Sequence, residues 1–345
     1  MAIDHRELYS SRSTELESVG PIRGFFRELA FQDWLVFGFL VILNLAAYST
    51  PESPERTQSL HRVFSLLVFL TATLVVVRGG LLKHGFFAPL LYRLAIYGTV
   101  QLSYFFLGEL LPLVNTTTLD GELYHLDTLL FGFEPAIALD SVVTPITTEW
   151  FAFFYFSYFF LLAIHVIPIL MLSKNARLLG EFALGMLLVF CIGHTVYMLV
   201  PGFGPYKAMA GHFQHELPHG MWMDMVLSTV ATGGAQMDIF PSLHTATPTF
   251  IAMFSFRHRN KLPFKYTWPV VVFFAVNIII ATMFLRWHYI IDVVAGLTLA
   301  TLAVLLSTRL TRIEAGRRFR LATENWPTFF KSPRRSTRTA ELARS

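Results

Sequence analysis

Eight runs of apolar residues, most of them near the length of a bilayer-spanning helix, constrain this chain more than any motif does. A spanning helix needs ~20 mostly apolar residues. The sequence offers candidates at 33–49, 63–82, 89–111, 150–172, 178–200, 241–256, 268–285 and 289–308, of which the first and sixth are short. Apolar residues make up 54% of the 345 positions and charged residues 14%, which leaves too little polar sequence to cover a soluble core of that size. The fold class expected is therefore an all-α integral membrane protein of about eight transmembrane helices. The single cysteine, Cys191, lies inside an apolar run, so neither a disulfide framework nor a cysteine metal site is expected. The first thirty residues mix acids and bases without an apolar h-region, so no cleaved leader is expected.

Charge fixes the expected orientation. Of 27 Lys and Arg, only Arg56, Arg62, Lys207 and Arg286 fall on one set of alternate joints. The rest lie at the N-terminus, on the other joints and in the tail. The positive-inside rule places that majority in the cytoplasm, with both termini. The basic excess concentrates in the tail, where it suits anionic headgroups or topology rather than nucleic acid. The expected organisation is a cytoplasmic segment 1–32, N-terminal helices over 33–111, a core over 112–308 with two outer loops, and a basic cytoplasmic tail 309–345, disordered beyond about residue 330. Within the loop 112–149, the apolar stretch 123–139 suits a short interfacial helix. The loop 201–240 is rich in Gly, Pro, His and Met.

Two clusters of chemistry-bearing residues fall at the outer, periplasmic or lumenal, mouths of different spans. Phe240-Pro241-Ser242-Leu243-His244 stands before the sixth, and Arg286-Trp287-His288-Tyr289-Ile290-Ile291-Asp292 before the eighth. His288 and Asp292 are four apart and share a helix face. A carboxylate there can accept Nδ1–H, fixing the tautomer and leaving Nε2 as a nucleophile. The plainer reading is an interfacial pair in which two polar groups satisfy each other. Ionisable residues at membrane depth are functional candidates by default, and a second histidine with a serine lies at matching depth.

Pro-Ser-Leu-His followed about forty residues on by Arg-Trp-His-Tyr-Ile-Ile-Asp-Val-Val-Ala-Gly resembles the second and third signatures of the type 2 phosphatidic-acid phosphatase superfamily. It looks closest to the branch containing inositol phosphorylceramide and sphingomyelin synthases. The stretch Leu-Asp-Thr-Leu-Leu-Phe-Gly-Phe-Glu-Pro at 126–135 is also similar to a feature of that branch. The resemblance is close over 238–296 and loose over 120–307. It implies a lipid-phosphatase-like catalytic core in the last five or six helices. It implies His288 as nucleophile, Asp292 as its orienter, and His244 as the group that protonates the leaving alcohol and then activates the acceptor. Ser242 would donate to a phosphate oxygen. No cofactor or metal enters such a scheme.

The chain also departs from the phosphatase pattern. Ala281 and Thr282 stand where Ser-Arg would precede the nucleophile, and Arg286 is the nearest replacement. Of the first signature only Lys207 remains, with Gln214 in the arginine's place. Arg286 and Lys207 are accordingly the candidate phosphate-binding cations. His215-Glu216-Leu217-Pro218-His219 matches the zinc-peptidase spacing, but Pro218 disrupts the helix on which that motif depends. His165, His194, Glu109 and Glu181 read as satisfied polar groups, and the aromatic run 150–160 as packing or lipid-facing surface. The leading functional expectation is a transferase moving a phosphoryl or phospho-headgroup between membrane lipids or polyols. Beside it stand a lipid-phosphate phosphatase using water, and a non-catalytic lipid-binding or transport protein.

Overall fold

The computed structural model describes residues 20–82, 85–233, 236–321 and 323–329, and the chain is an all-α membrane protein. A short helix α1 (Pro21–Glu28) precedes α2 (Phe31–Tyr48), α3 (Pro54–Arg78) and α4 (Phe87–Val114). Helix α5 (Asp120–Phe131) leads to α6 (Pro145–Leu172) and α7 (Ala176–Tyr197). Then come α8 (Met221–Gly233), α9 (Leu243–Arg257), α10 (Phe264–Phe284) and α11 (Ile290–Leu321). Local chemistry sets several starts. Ser53, Thr144 and Asn175 accept first-turn amides of α3, α6 and α7, and proline opens α3 and α6, where its missing N–H costs nothing.

Seven of these helices are long and apolar enough to cross a membrane: α2, α3, α4, α6, α7, α10 and α11. The eighth expected span, 241–256, folds as α9, whose 15 residues fall short of that length. It still runs from one end of the bundle to the other. At its head Ser242 N donates to the Asp292 carbonyl, and at its tail the His258 ring bonds Glu181 near the start of α7. The last run is longer than expected, since α11 continues beyond 308 to Leu321. The loop 201–240 contains the helix α8. The expectation of disorder beyond 330 lies outside the described residues.

Helix α7 is the central element: 78% of its apolar window is buried, against 28–44% for the other six. Apolar surface gains nothing by leaving lipid for protein, so small residues that allow close approach carry membrane packing. Gly180 faces Thr311 of α11, Gly193 faces Leu243 of α9, and Gly296 of α11 lies against the Ser242 carbonyl. Ion pairs tie down one end of the bundle. Asp33 accepts from Arg78 Nε at 2.9 Å and from Tyr92 Oη, and Gln32 Nε2 donates to Asn325. Arg93 reaches the Leu170 and Pro327 carbonyls. Arg318 pairs with Glu314 and Glu28. Both described ends of the chain therefore sit together, opposite the end that carries the clustered histidines.

Candidate active site

The head of α9 is built by a fully buried serine. Ser242 Oγ accepts Thr245 N at 3.2 Å, capping the helix, while Ser242 N donates to the Asp292 carbonyl at 3.0 Å. Gly296 has no side chain to push the two helices apart: a Cβ there would lie 2.5 Å from the Ser242 oxygen. This junction brings His244 and His288, at the heads of neighbouring helices, to one site.

His288 sits on the turn after α10. Trp287 N and His288 N both donate to the Thr282 carbonyl, and Arg286 takes a left-handed φ of 68°. His288 Nδ1 lies 3.4 Å from Asp292 Oδ2, which also accepts Tyr289 N at 2.9 Å. Asp292 thus faces the ring through Nδ1, the arrangement that directs Nε2 toward a substrate, and the Ile239 backbone is a second partner of the ring. Hydrogen bonds of this type are often long in resting enzymes and tighten around substrate. Burial pushes the His288 pKa down to about 4, against the opposing pull of the Asp238 charge and a hydrogen bond at Ile239. At neutral pH the ring is uncharged, as a nucleophile must be.

Both histidines line a cavity of about 180 Å³ whose walls are mostly aromatic. The His244 ring stacks on Tyr155 at 4.3 Å and packs against Tyr158 at 4.2 Å. Its Nε2 is buried without a partner, free for a proton transfer. Tyr206 and Trp287 close another wall, with ring centroids 4.6 Å apart. Asp238 also lines the cavity; it accepts Tyr104 Oη at 2.9 Å, and burial raises its pKa. No Lys or Arg is among the described lining residues.

Carboxylates hold the backbone behind the histidines; Asp127 belongs to the stretch 126–135 noted in the sequence, whereas Asp120 was not singled out there. Asp120 accepts Phe203 N at 3.0 Å, Gly204 N at 2.9 Å and Tyr289 Oη at 3.2 Å. Asp127 accepts Ile290 N and Ile291 N at 2.7 and 2.9 Å. Asp120, Leu123 and Asp127 form the buried face of α5, and their spacing of three and four was the available signal. Glu149 accepts Trp222 N and Met223 N, capping α8 from α6.

The expected phosphate ligands occupy other positions. Ser242 is the helix cap just described. Arg286 Nη2 donates to Asp140 Oδ1 at 2.7 Å and to the His215 carbonyl at 2.6 Å, with its guanidinium over Phe213. Lys207 is exposed, its Nζ 3.4 Å from the centre of the Phe203 ring. None of the three lines the cavity. His215 Nδ1 bonds Asp140 and His219 Nδ1 bonds Asp224, so the two histidines turn to different carboxylates. His165 is satisfied by the Leu161 carbonyl, Glu181 by Arg177 and His258, and Glu109 by Arg62. Two readings change. His194 lines the cavity, with Nδ1 unpartnered and its ring stacked on Tyr104. The aromatic run contributes Tyr155, Phe156, Tyr158 and Phe159 to the site, at a helical spacing that presents one face.

A sequence profile described as the PAP2 superfamily matches residues 121–306, which takes in α5 through most of α11. No curated protein and no solved structure matches the chain significantly.

Proposed function

Because this chain belongs to the PAP2 superfamily, we propose that it is a membrane lipid phosphotransferase of the inositol phosphorylceramide synthase type, acting through a phosphohistidine on His288. Membership supports a lipid phosphatase or phosphotransferase activity. The observation that carries the finer reading is the pairing of two histidines across one aromatic cavity, His288 beside Asp292 and His244 with its Nε2 unpartnered.

In the first step His288 Nε2 attacks the phosphorus of a donor lipid. A P–N bond forms, the P–O bond to the leaving alcohol breaks, and His244, charged once the donor's phosphate anion sits beside it, gives that oxygen the proton that it recovers from the acceptor in the second step. Asp292 stabilises the positive charge that develops on the His288 ring. In the second step His244 takes the proton of an acceptor hydroxyl, whose oxygen attacks phosphorus. The P–N bond breaks and His288 returns to its starting form. Positioned acid–base help of this kind is worth roughly 10²–10⁴-fold. Charge on the equatorial oxygens meets tyrosine hydroxyls and the N-terminal end of α9, whose first residues Leu243 and His244 line the cavity, a favourable place for an anion. Aromatic walls that keep bulk water from a phosphohistidine favour an alcohol as acceptor. The distribution of basic residues supports an active site on the periplasmic or lumenal side with both termini in the cytosol.

The test uses purified protein in vesicles with a phosphorus-labelled donor lipid. Acid-labile label on the protein, absent from His288→Ala, is expected. Ceramide, diacylglycerol or a polyol should then carry the label into a new product. Release of phosphate that no acceptor diverts makes the enzyme a phosphatase of the same family. Absence of both label and turnover leaves a non-catalytic lipid-binding protein.

A further inference from the structure

We propose that Asp127 and Glu134 form a carboxylate–carboxyl clamp that holds the head of α11, and so sets the position of His288 and Asp292 for attack. This rests on the phosphohistidine reading above. The first amides of a helix have no carbonyl partner within it, and a helix is ordinarily capped by the Ser, Thr, Asp or Asn just before it. Tyr289 stands there instead. The cap comes from 163 residues upstream: Asp127 takes the Ile290 amide on Oδ2 and the Ile291 amide on Oδ1. Those amides directly follow His288 and Tyr289, so the clamp acts on the backbone that carries the nucleophile.

Glu134 completes it. Helix α5 ends at Phe131, and Gly132 takes a left-handed φ of 79° that turns the chain back. The Glu134 carboxyl thereby returns to hydrogen bond Asp127. Its Oε1 accepts Ala136 N at 3.1 Å, while Oε2 is buried with no N–H or O–H directed at it. That oxygen is the place for a proton. Two carboxyls bonded to each other in a buried site cannot both be ionised. Burial and the neighbouring Asp127 push Glu134 well above the usual carboxylate range, so the proton stays on Glu134 and is donated to Asp127. Asp127 keeps the charge and faces a helix N-terminus, where a negative charge is stabilised. The other titratable groups facing Glu134 are Asp292 and Tyr289 of the α11 head. Asp120 stands beyond, bonded to Tyr289. The stretch from Leu126 to Pro135 thus has a reason for its pattern: an acid for the amides, a glycine for the turn, and a second acid to proton-lock the first.

Glu134→Gln, Glu134→Ala and Asp127→Asn in the purified full-length protein test this, with kcat, KM, pH profile and phosphohistidine yield as readouts. The protonated carboxyl is the working form, so wild-type activity should hold at neutral pH and fall at alkaline pH as Glu134 ionises. Glu134→Gln keeps a donor that cannot ionise. It should retain near wild-type kcat at neutral pH and lose the alkaline fall. Glu134→Ala and Asp127→Asn should lower kcat by roughly tenfold or more, with KM and the melting temperature changed little. An alkaline fall unchanged in Glu134→Gln overturns the clamp, as does wild-type kcat in Glu134→Ala, or a loss carried by KM. If Glu134→Ala fails to fold, the Glu134→Gln profile decides alone. A wild-type protein that never carries label on His288 defeats the underlying reading. Equal label in wild type and all clamp variants defeats the clamp only.

Discussion

Replacing Gly296 with alanine should break the site while leaving the fold intact. The added Cβ would lie 2.5 Å from the Ser242 carbonyl oxygen and 3.0 Å from Thr245 Cβ, where ordinary contact begins at 3.4 Å. Helices α9 and α11 must then part at their heads by about 0.9 Å. That displacement falls between His244 on one helix and the His288–Asp292 pair on the other. A misplacement of about 1 Å at reacting groups costs on the order of 10²-fold in rate, whereas overpacking costs stability about 1–3 kcal/mol. The expected result is a protein that extracts and melts as a folded species, with KM nearly unchanged and kcat lowered by roughly 10–100-fold. Gly180→Ala is the control, because it overpacks α7 against Thr311 at the far end of the same bundle, with a Cβ 2.8 Å from Thr311 Cγ2. It should lower the melting temperature and spare kcat. Wild-type kcat in Gly296→Ala, or an equal loss in Gly180→Ala, would refute the idea that this helix crossing sets the distance between the two histidines.

Activity should hold down to about pH 5 and fall as His288 protonates through about 4, since burial has lowered its pKa and only the neutral ring attacks; an acid limb near the ordinary histidine value of ~6.5 would contradict this. Tyr155→Ala removes the face on which His244 stacks, and should cost kcat several-fold, in line with the ~0.5–1.5 kcal/mol of such ring pairs, as measured by steady-state turnover. Arg286→Lys separates two roles for that residue: loss of its bond to the His215 carbonyl should lower the melting temperature with KM intact, whereas a phosphate ligand would raise KM. Cysteines placed as Gly211→Cys and Lys261→Cys in a Cys191→Ser background should react with an impermeant reagent from opposite sides of the membrane.

The spans were legible because length and apolarity suffice to find them, and the head-to-tail alternation of helices follows once they are counted. Helix α9 had the apolar character but not the length, and only its bonds to Glu181 and Asp292 reveal how it is seated. Helix α8 was invisible because its loop is dominated by Gly, Pro, His and Met, and the Glu149 that caps it comes from another helix. The three residues proposed for chemistry drew notice through the family resemblance, since their spacing alone fits two polar groups satisfying each other, and His288 stands on the turn before α11 rather than on the helix that carries Asp292. The partner of Arg286 was not legible, since Asp140 stands 146 positions away. Nor was the aromatic wall, because a run of Phe and Tyr reads alike whether it meets lipid, core or cavity. His194 looked like a satisfied interior histidine for the same reason; what distinguishes it is an empty hydrogen-bond site.

The shortness of α9 has a consequence for how substrates arrive. Fifteen residues rise ~22 Å, some 8 Å less than a hydrocarbon core of ~30 Å. The cap at Ser242 and the bond to His258 fix both ends of the helix within the bundle, so the shortfall is not relieved by sliding. If His258 marks one edge of the hydrocarbon, His244 lies below the opposite edge. At that depth a lipid presents its glycerol and ester region, and a headgroup must dip inward to bring phosphorus to the histidines. Non-helical backbone such as Met237–Ser242 is tolerated there because it is walled by protein rather than by acyl chains. Lipids sharing a headgroup but differing in chain length should therefore differ in turnover, with thinner bilayers giving the higher rate.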